Sequence, residues 1–188
     1  MDIILPLIIF GIIIIIALFS GKKVKKELSS LKTFLNGKVE SKFFSLKFVG
    51  DFKGLPFEIR QIAGGKNSPP KIRIRMNTNR PLTLKVYKRS LMISLSVKLG
   101  LLGKTLTTGD IEFDKTFRAI SNDINTHSFL ASLDNRTIIR NLFESGFQTF
   151  KIKKGHIEIS KHYYEIKDEL AQEKITPILE ALYKLSLA

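Results

Sequence analysis

The stretch Lys71-Ile72-Arg73-Ile74-Arg75-Met76 alternates apolar and basic side chains with a period of two residues. This period is typical of a β-strand with one buried face and one solvated face. The same alternation occurs in three further runs, and turn-forming residues separate them. We therefore predict an antiparallel β-meander with one apolar face and one wet, basic face. The three further runs are residues 44–48, 57–61 and 82–87.

Downstream of the meander the pattern becomes mostly helical. Leu91, Ile93, Leu95 and Val97 still alternate, which favours a fifth strand between Arg89 and Leu102. Strands grouped before helices indicate an α+β fold and not a parallel α/β sheet. The later elements are predicted as two helices at about 125–133 and 135–144, a hairpin at 150–159, and a long helix from about Tyr164.

Upstream of the meander, Ile3 to Phe19 is an unbroken apolar run. A helix of that length reaches about 26–29 Å, close to the roughly 30 Å hydrocarbon core of a bilayer. No basic residue precedes the run and lysines follow it, which disfavours a cleaved signal peptide and places the following end in the cytoplasm. We predict an uncleaved anchor at 1–21 and a single-pass inner-membrane protein with its N-terminus outside. The lysines are Lys22, Lys23, Lys25 and Lys26, our candidate membrane-surface residues.

The segment 22–37 has apolar residues at helical spacing, with lysines and serines between them. It is predicted as a juxtamembrane basic helix that precedes a cytoplasmic α+β domain at 38–188. Either the helix lies on the lipid surface, or it is a connector that packs one apolar stripe on the domain. The stripe consists of Val24, Leu28, Leu31 and Leu35.

The charge of the 188-residue chain is +14, and it is unevenly distributed. Residues 21–105 contain 20 Lys/Arg and 4 acidic residues, whereas residues 106–188 contain 11 and 12. Such a basic half suits an anionic lipid surface or an acidic protein. Nucleic acid is disfavoured, because Tyr87 is the only aromatic residue expected on the basic face. The candidate anion-binding face consists of Arg73, Arg75, Arg80, Lys85, Lys88 and Arg89.

The sequence Gly109-Asp110-Ile111-Glu112-Phe113-Asp114 places three carboxylates within five residues. They could bind Mg²⁺ or Ca²⁺, but the spacing is not that of a calcium loop. The interpretation we favour is a structural turn, in which Asp110 and Asp114 accept backbone N–H bonds while Phe113 and Phe117 enter the core. The chain has no cysteine and no nucleotide-binding fingerprint, so we expect no cofactor and no metal.

Gly54-Leu55-Pro56-Phe57, followed by 108–114, Phe117, Phe129-Leu130 and the closing hairpin and helix, resembles a group of uncharacterised prokaryotic proteins. That group shares a GD-x-x-FD core and often has a membrane segment nearby. The resemblance covers about residues 40–188. It implies a domain boundary near residue 40 and carries no activity to these positions.

Two functional hypotheses follow from these patterns. The preferred one is a non-catalytic interaction or assembly domain, anchored at the membrane, whose basic half faces the anionic leaflet and which binds a protein partner or membrane complex. The alternative is a membrane-bound enzyme that acts on an anionic substrate through the acidic turn 110–114. The sequence favours the first hypothesis because it shows no recognisable catalytic constellation.

Overall fold

The computed structural model describes residues 21–42, 45–65, 68–100, 103–153 and 155–188. Nine strands form one sheet in the order β1-β2-β3-β4-β9-β8-β5-β7-β6, and every neighbouring pair is antiparallel. The strands are β1 (Gly37–Lys42), β2 (Ser45–Phe52), β3 (Leu55–Ile62), β4 (Lys71–Asn77), β5 (Leu84–Lys88), β6 (Thr105–Leu106), β7 (Phe117–Ile120), β8 (Thr149–Lys153) and β9 (His156–His162).

Seven α-helices occur within the described residues. A 3₁₀ turn, Leu31–Thr33, follows the first helix directly. The helices are α1 (21–30), α2 (Leu91–Lys98), α3 (Ile111–Thr116), α4 (Asn125–Ala131), α5 (Leu133–Glu144), α6 (Ile166–Glu169) and α7 (Gln172–Leu187).

The core lies on one face of the sheet, which we call the inner face. On β4 the side chains of Ile72, Ile74 and Met76 are at most 1% exposed, as the alternation predicts. Helix α7 covers this part of the sheet, because one side of it buries Ile175, Ile178, Leu179, Leu182 and Leu185. Since burial of apolar area is the dominant favourable term in folding, the stripe on α7 fixes which face of the sheet is inner.

The first helix belongs to the same core. Leu28 and Leu31 are fully buried, Leu35 is 8% exposed, and Val24 packs against the cluster. This confirms the predicted apolar stripe and agrees with a connector that packs on the domain.

A tight turn joins β2 to β3. Gly54 has a φ of +86°, in the left-handed region that favours glycine, and its N–H donates to the Asp51 carboxylate at 2.8 Å. This turn sets the register in which Phe48 faces Ile59 across the two strands.

The predicted fold class, an N-terminal transmembrane helix followed by a meander and C-terminal helices, is wrong. The strands form one nine-stranded sheet, and helices α2 to α5 are inserted between strands of that sheet. Where a fifth strand was predicted between Arg89 and Leu102, the structure has helix α2 followed by a turn at 99–100, and residues 101 and 102 lie outside the described residues. Its sequence is apolar at most positions, so alternation alone does not distinguish a strand from a helix there. Strand β1 was not predicted.

No helix in the described ranges is long and apolar enough to cross a membrane. This finding corrects the predictions of a transmembrane helix and of a single-pass inner-membrane location. The anchor predicted at 1–21 lies, apart from Gly21, outside the described residues.

Candidate functional site

The face opposite the core, the outer face, carries two rows of side chains that run across the strands. The register aligns positions of β2, β3, β4, β9, β8 and β5 at two neighbouring levels, and each level faces away from the core. The first row is Lys47, Arg60, Arg73, Ser160, Thr149 and Tyr87; the second is Val49, Glu58, Arg75, Glu158, Lys151 and Lys85.

Glu158 lies at the centre of these rows. Its Oε2 accepts hydrogen bonds from Nε of Arg75 at 2.7 Å and lies 2.7 Å from Nη2 of the same guanidinium. Nη1 of Arg73 lies 3.7 Å away, and Nζ of Lys151 lies 3.8 Å from the other carboxylate oxygen. Burial raises the pKa of Glu158, but the hydrogen bond from Arg75 and the charges of its neighbours outweigh burial, so its pKa lies below the usual value.

Glu58 has a similar position on β3, which β4 separates from β9. Its Oε2 accepts from Nζ of Lys47 at 3.1 Å and lies 3.7 Å from Nη2 of Arg60. Its Oε1 lies 3.6 Å from Nη1 of Arg75, so that guanidinium bridges Glu58 and Glu158. Such linked pairs hold the side chains in fixed positions on the sheet.

These residues form what we call the basic cluster: Lys47, Arg60, Arg73, Arg75, Lys85 and Lys151, with the carboxylates Glu58 and Glu158. On β1, Glu40 lies opposite Lys47, with its Oε2 3.7 Å from Nζ of Lys47, and adds a third carboxylate at the edge of the cluster. Six cations therefore face three carboxylates. Burial lowers the pKa of Arg73 and of Lys151, and neighbouring cations lower both further, while Glu158 opposes the shift. The carboxylates of the cluster therefore do not offset burial and the repulsion between its cations.

Two guanidiniums of the cluster keep a donor without a partner. Nε of Arg60 and Nε of Arg73 are buried, and neither has a hydrogen-bond acceptor among the described residues. Their side chains are nevertheless 29% and 22% exposed, so part of each guanidinium reaches the surface. Guanidiniums that are held in place and partly exposed suit carboxylate or phosphate groups, which accept from their outer N–H groups.

The six residues predicted as an anion-binding face do not all lie together. Arg73, Arg75 and Lys85 belong to the basic cluster. Arg80 lies instead against the helical layer, where its Nη2 donates to the Leu187 carbonyl at 2.7 Å. Of the other two, Lys88 is the last residue of β5, next to Phe117 in the register, and Arg89 follows it, with its backbone N–H donating to the Thr116 carbonyl.

Several cluster members were missed by the sequence reasoning. Lys47, Arg60 and Glu58 alternate with apolar residues in runs that the sequence analysis had assigned to strands, so strand parity was a usable signal for them. Lys151 and Glu158 lie on a hairpin whose place beside β4 no local pattern reveals.

The four lysines predicted to bind a membrane surface lie on α1, and all four are exposed. Nζ of Lys23 lies 3.6 Å from the Glu165 carboxylate, an exposed pair. Because α1 packs its leucines into the inner core, these lysines and the basic cluster do not form one surface. The lysines are Lys22, Lys23, Lys25 and Lys26.

The acidic turn is the beginning of helix α3. Asp110 caps the helix, and its Oδ1 accepts the Phe113 N–H at 3.0 Å. The Asp114 carboxylate accepts both the N–H and the hydroxyl of Thr108. Phe113 is fully buried and Phe117 is 4% exposed, so the structural interpretation of the turn is confirmed.

The Asp110 carboxylate also binds the guanidinium of Arg136. Nε of Arg136 donates to Oδ2 of Asp110 at 3.1 Å. The hydrogen bond from the Phe113 N–H holds the pKa of Asp110 below its usual value, and the bond from Arg136 adds to this, against a raising effect of burial. Glu112 instead points into solvent, with 73% of its side chain exposed. No group of three potential metal ligands occurs among the described residues.

Comparison with known proteins identifies a similar fold but no matching family. No protein-family model matches the chain, and no curated protein matches it. The chain is similar to the crystal structure of the mycobacterial trehalose monomycolate transport factor A, TtfA, with a TM-score of 0.52 and 8% sequence identity. The similarity covers 86% of this chain and 93% of TtfA. At this identity the similarity shows a shared fold only, and the resemblance to the GD-x-x-FD group stays a prediction.

Proposed function

We propose that this chain is a non-catalytic interaction domain, and that the basic cluster on the outer face binds an acidic segment of a protein partner. The observation that carries the proposal is the unmatched charge, six cations against three carboxylates, with the guanidiniums of Arg60 and Arg73 partly exposed. Carboxylates of a partner would supply the missing charge and would accept hydrogen bonds from the exposed parts of these guanidiniums.

Two further observations support a partner over a substrate. The guanidiniums of the cluster are partly exposed, with Arg73 at 22% and Arg75 at 32%, and the carboxylates of the acidic turn already hold backbone and guanidinium groups of their own chain. The structural neighbour TtfA is named as a transport factor. From this name we propose for this chain only that it acts together with a partner.

A charge-matched pair of variants tests the proposal. Arg60→Gln/Arg73→Gln removes two charges from the cluster, and Lys25→Gln/Lys26→Gln removes two charges from exposed positions of α1. Fluorescent poly-L-glutamate serves as the acidic probe in a polarisation assay at two salt concentrations. We expect the cluster variant to bind at least about tenfold more weakly, a loss of about 1.4 kcal/mol, because hydrogen bonds to charged groups are worth about 1.5–3 kcal/mol each.

The control variant should bind within about twofold of the parent, and melting curves should show that both variants fold. Equal weakening by both variants would mean that overall charge, and not the cluster, attracts the probe, which would contradict the proposal. Stronger binding to single-stranded DNA or to anionic vesicles than to poly-L-glutamate, lost in the cluster variant, would also contradict a protein partner.

A further inference from the structure

The connection between β5 and β6, residues 89–104, has an unusual composition. It contains eight apolar and three basic residues and no acidic residue. The chain has no acidic residue at all between Glu58 and Asp110, a region with eleven Lys/Arg. The connection is therefore an apolar segment within a region whose charged residues are all basic.

The register fixes where this connection begins and ends. Lys88 pairs with Phe117 at one end of β7, and Thr105 pairs with Ile120 at the other end. The two ends of the connection thus lie at opposite ends of β7, and its last residue precedes the edge strand of the sheet, β6. A Cβ on Gly103 would lie 3.4 Å from the Ile120 side chain, so the last part of the connection packs closely on this edge.

Helix α2, within this connection, has two apolar side chains that the structure describes, the half-buried Ile93 and the exposed Leu95. None of its described side chains belongs to the core, and Leu95 is 58% exposed. Leu99, directly after the helix, is 63% exposed. An ordinary surface helix places charged or polar residues at such positions. Here a short helix presents leucine to solvent and has basic residues on both sides of it in the chain.

Exposed leucine flanked by basic residues matches the chemistry of an anionic bilayer surface. Helices that lie in the plane of a membrane bury their apolar side chains at the headgroup boundary, while Lys and Arg bind the anionic lipids. A protein groove is the weaker match, because binding hot spots are enriched in tryptophan and tyrosine, and residues 89–104 contain no aromatic residue.

We propose that residues 89–100, with helix α2 at their centre, insert into the surface of an anionic bilayer. Leu95 and Leu99 enter the headgroup boundary, and Lys88, Arg89 and Lys104 bind lipid phosphates. The contact is peripheral and in the plane of the surface. It uses other residues than the basic cluster and does not depend on the proposed protein partner.

The chain contains no tryptophan, so a single introduced one reports on its own site. In the full chain, Leu95→Trp is compared with Ile124→Trp, whose position is 84% exposed on another loop. On addition of vesicles of phosphatidylcholine with phosphatidylglycerol, we expect the emission of Leu95→Trp to shift to shorter wavelength and to be quenched by lipids with a nitroxide on the acyl chain. Ile124→Trp should show neither effect.

The fluorescence results distinguish insertion at Leu95 from non-specific binding. No shift for Leu95→Trp, or the same shift for Ile124→Trp, would overturn the proposal, and an equal shift with pure phosphatidylcholine would overturn its anionic part. As a second variant, Leu95→Ser/Leu99→Ser should lower vesicle affinity at least about tenfold relative to Ile124→Ser/Leu133→Ser, which alters two apolar positions that are more exposed. Poly-L-glutamate binding should stay unchanged in Leu95→Ser/Leu99→Ser, so failure of this inference is distinguishable from failure of the proposed function.

Discussion

Replacing Phe113 by alanine measures how far the acidic turn is held by the core beneath it. The Phe113 ring is fully buried, with its centroid 4.9 Å from that of Phe117, whose ring in turn lies 4.9 Å from that of Phe143. Truncation removes the first of three rings in contact and leaves a cavity, which costs about 3–5 kcal/mol. In a chain of this length each kcal/mol lowers Tm by about 2–4 °C, so we expect a fall of roughly 10 °C.

Asp110→Asn is the companion variant, and we expect a smaller effect. Asparagine caps helices about as well as aspartate, so the hydrogen bond from the Phe113 N–H is retained. Only the charge facing Arg136 is lost, in a pair whose side chains are 19% and 12% exposed. The expected cost is at the lower end of about 1–3 kcal/mol.

The assay is thermal melting and urea unfolding of the parent and both variants at pH 7, with and without millimolar Mg²⁺ or Ca²⁺. The structural assignment requires Phe113→Ala to be the less stable variant and the cations to have no specific effect on the parent. A catalytic or metal-binding carboxylate would give the reverse, because such groups are held at some expense of stability. If Asp110→Asn is more stable than the parent, or if the cations raise the Tm of the parent alone, the turn is a site and our reasoning is refuted.

Two further predictions concern the other charged groups. Glu158→Gln should cost about 3–5 kcal/mol in urea unfolding, because Arg75, Arg73 and Lys151 lose their nearly buried carboxylate; a variant within about 1 kcal/mol of the parent would show that these pairs contribute little. The pKa of Asp110 in the folded chain lies below its usual value, so its stabilising charge is present above the unfolded pKa of about 4 and is lost as the pH falls through the lower folded pKa. The unfolding free energies of the parent and Asp110→Asn should therefore converge below about pH 4, and a constant gap down to pH 2 would contradict this.

The local patterns predicted many elements well, because they depend on neighbours in the chain. The inward direction of Ile72, Ile74 and Met76 follows from the period of two residues alone. The aspartates of the acidic turn and Phe113 were assigned from the same kind of local chemistry, since a helix cap and its first turn involve residues only three or four apart.

Helix α2 shows where local patterns fail. Its residues Leu91, Ile93, Leu95 and Val97 alternate as a strand would, yet they form a helix. A strand requires a partner strand to take its hydrogen bonds, and in this sheet that place beside β5 is taken by β7. The pairing of β5 with β7 depends on residues outside α2, so the sequence of α2 does not reveal it.

The sequence by itself determined which residues are basic, which faces of the strands are apolar, and that the region around the meander carries the excess charge. Only the tertiary structure determined which of those charged side chains contact one another. β4 pairs with β9, so that Arg75 lies opposite Glu158, 83 residues further along the chain. The physical reason is that strand alternation specifies a face but not a neighbour: a sheet edge accepts any strand of suitable pattern, and long-range packing selects the partner.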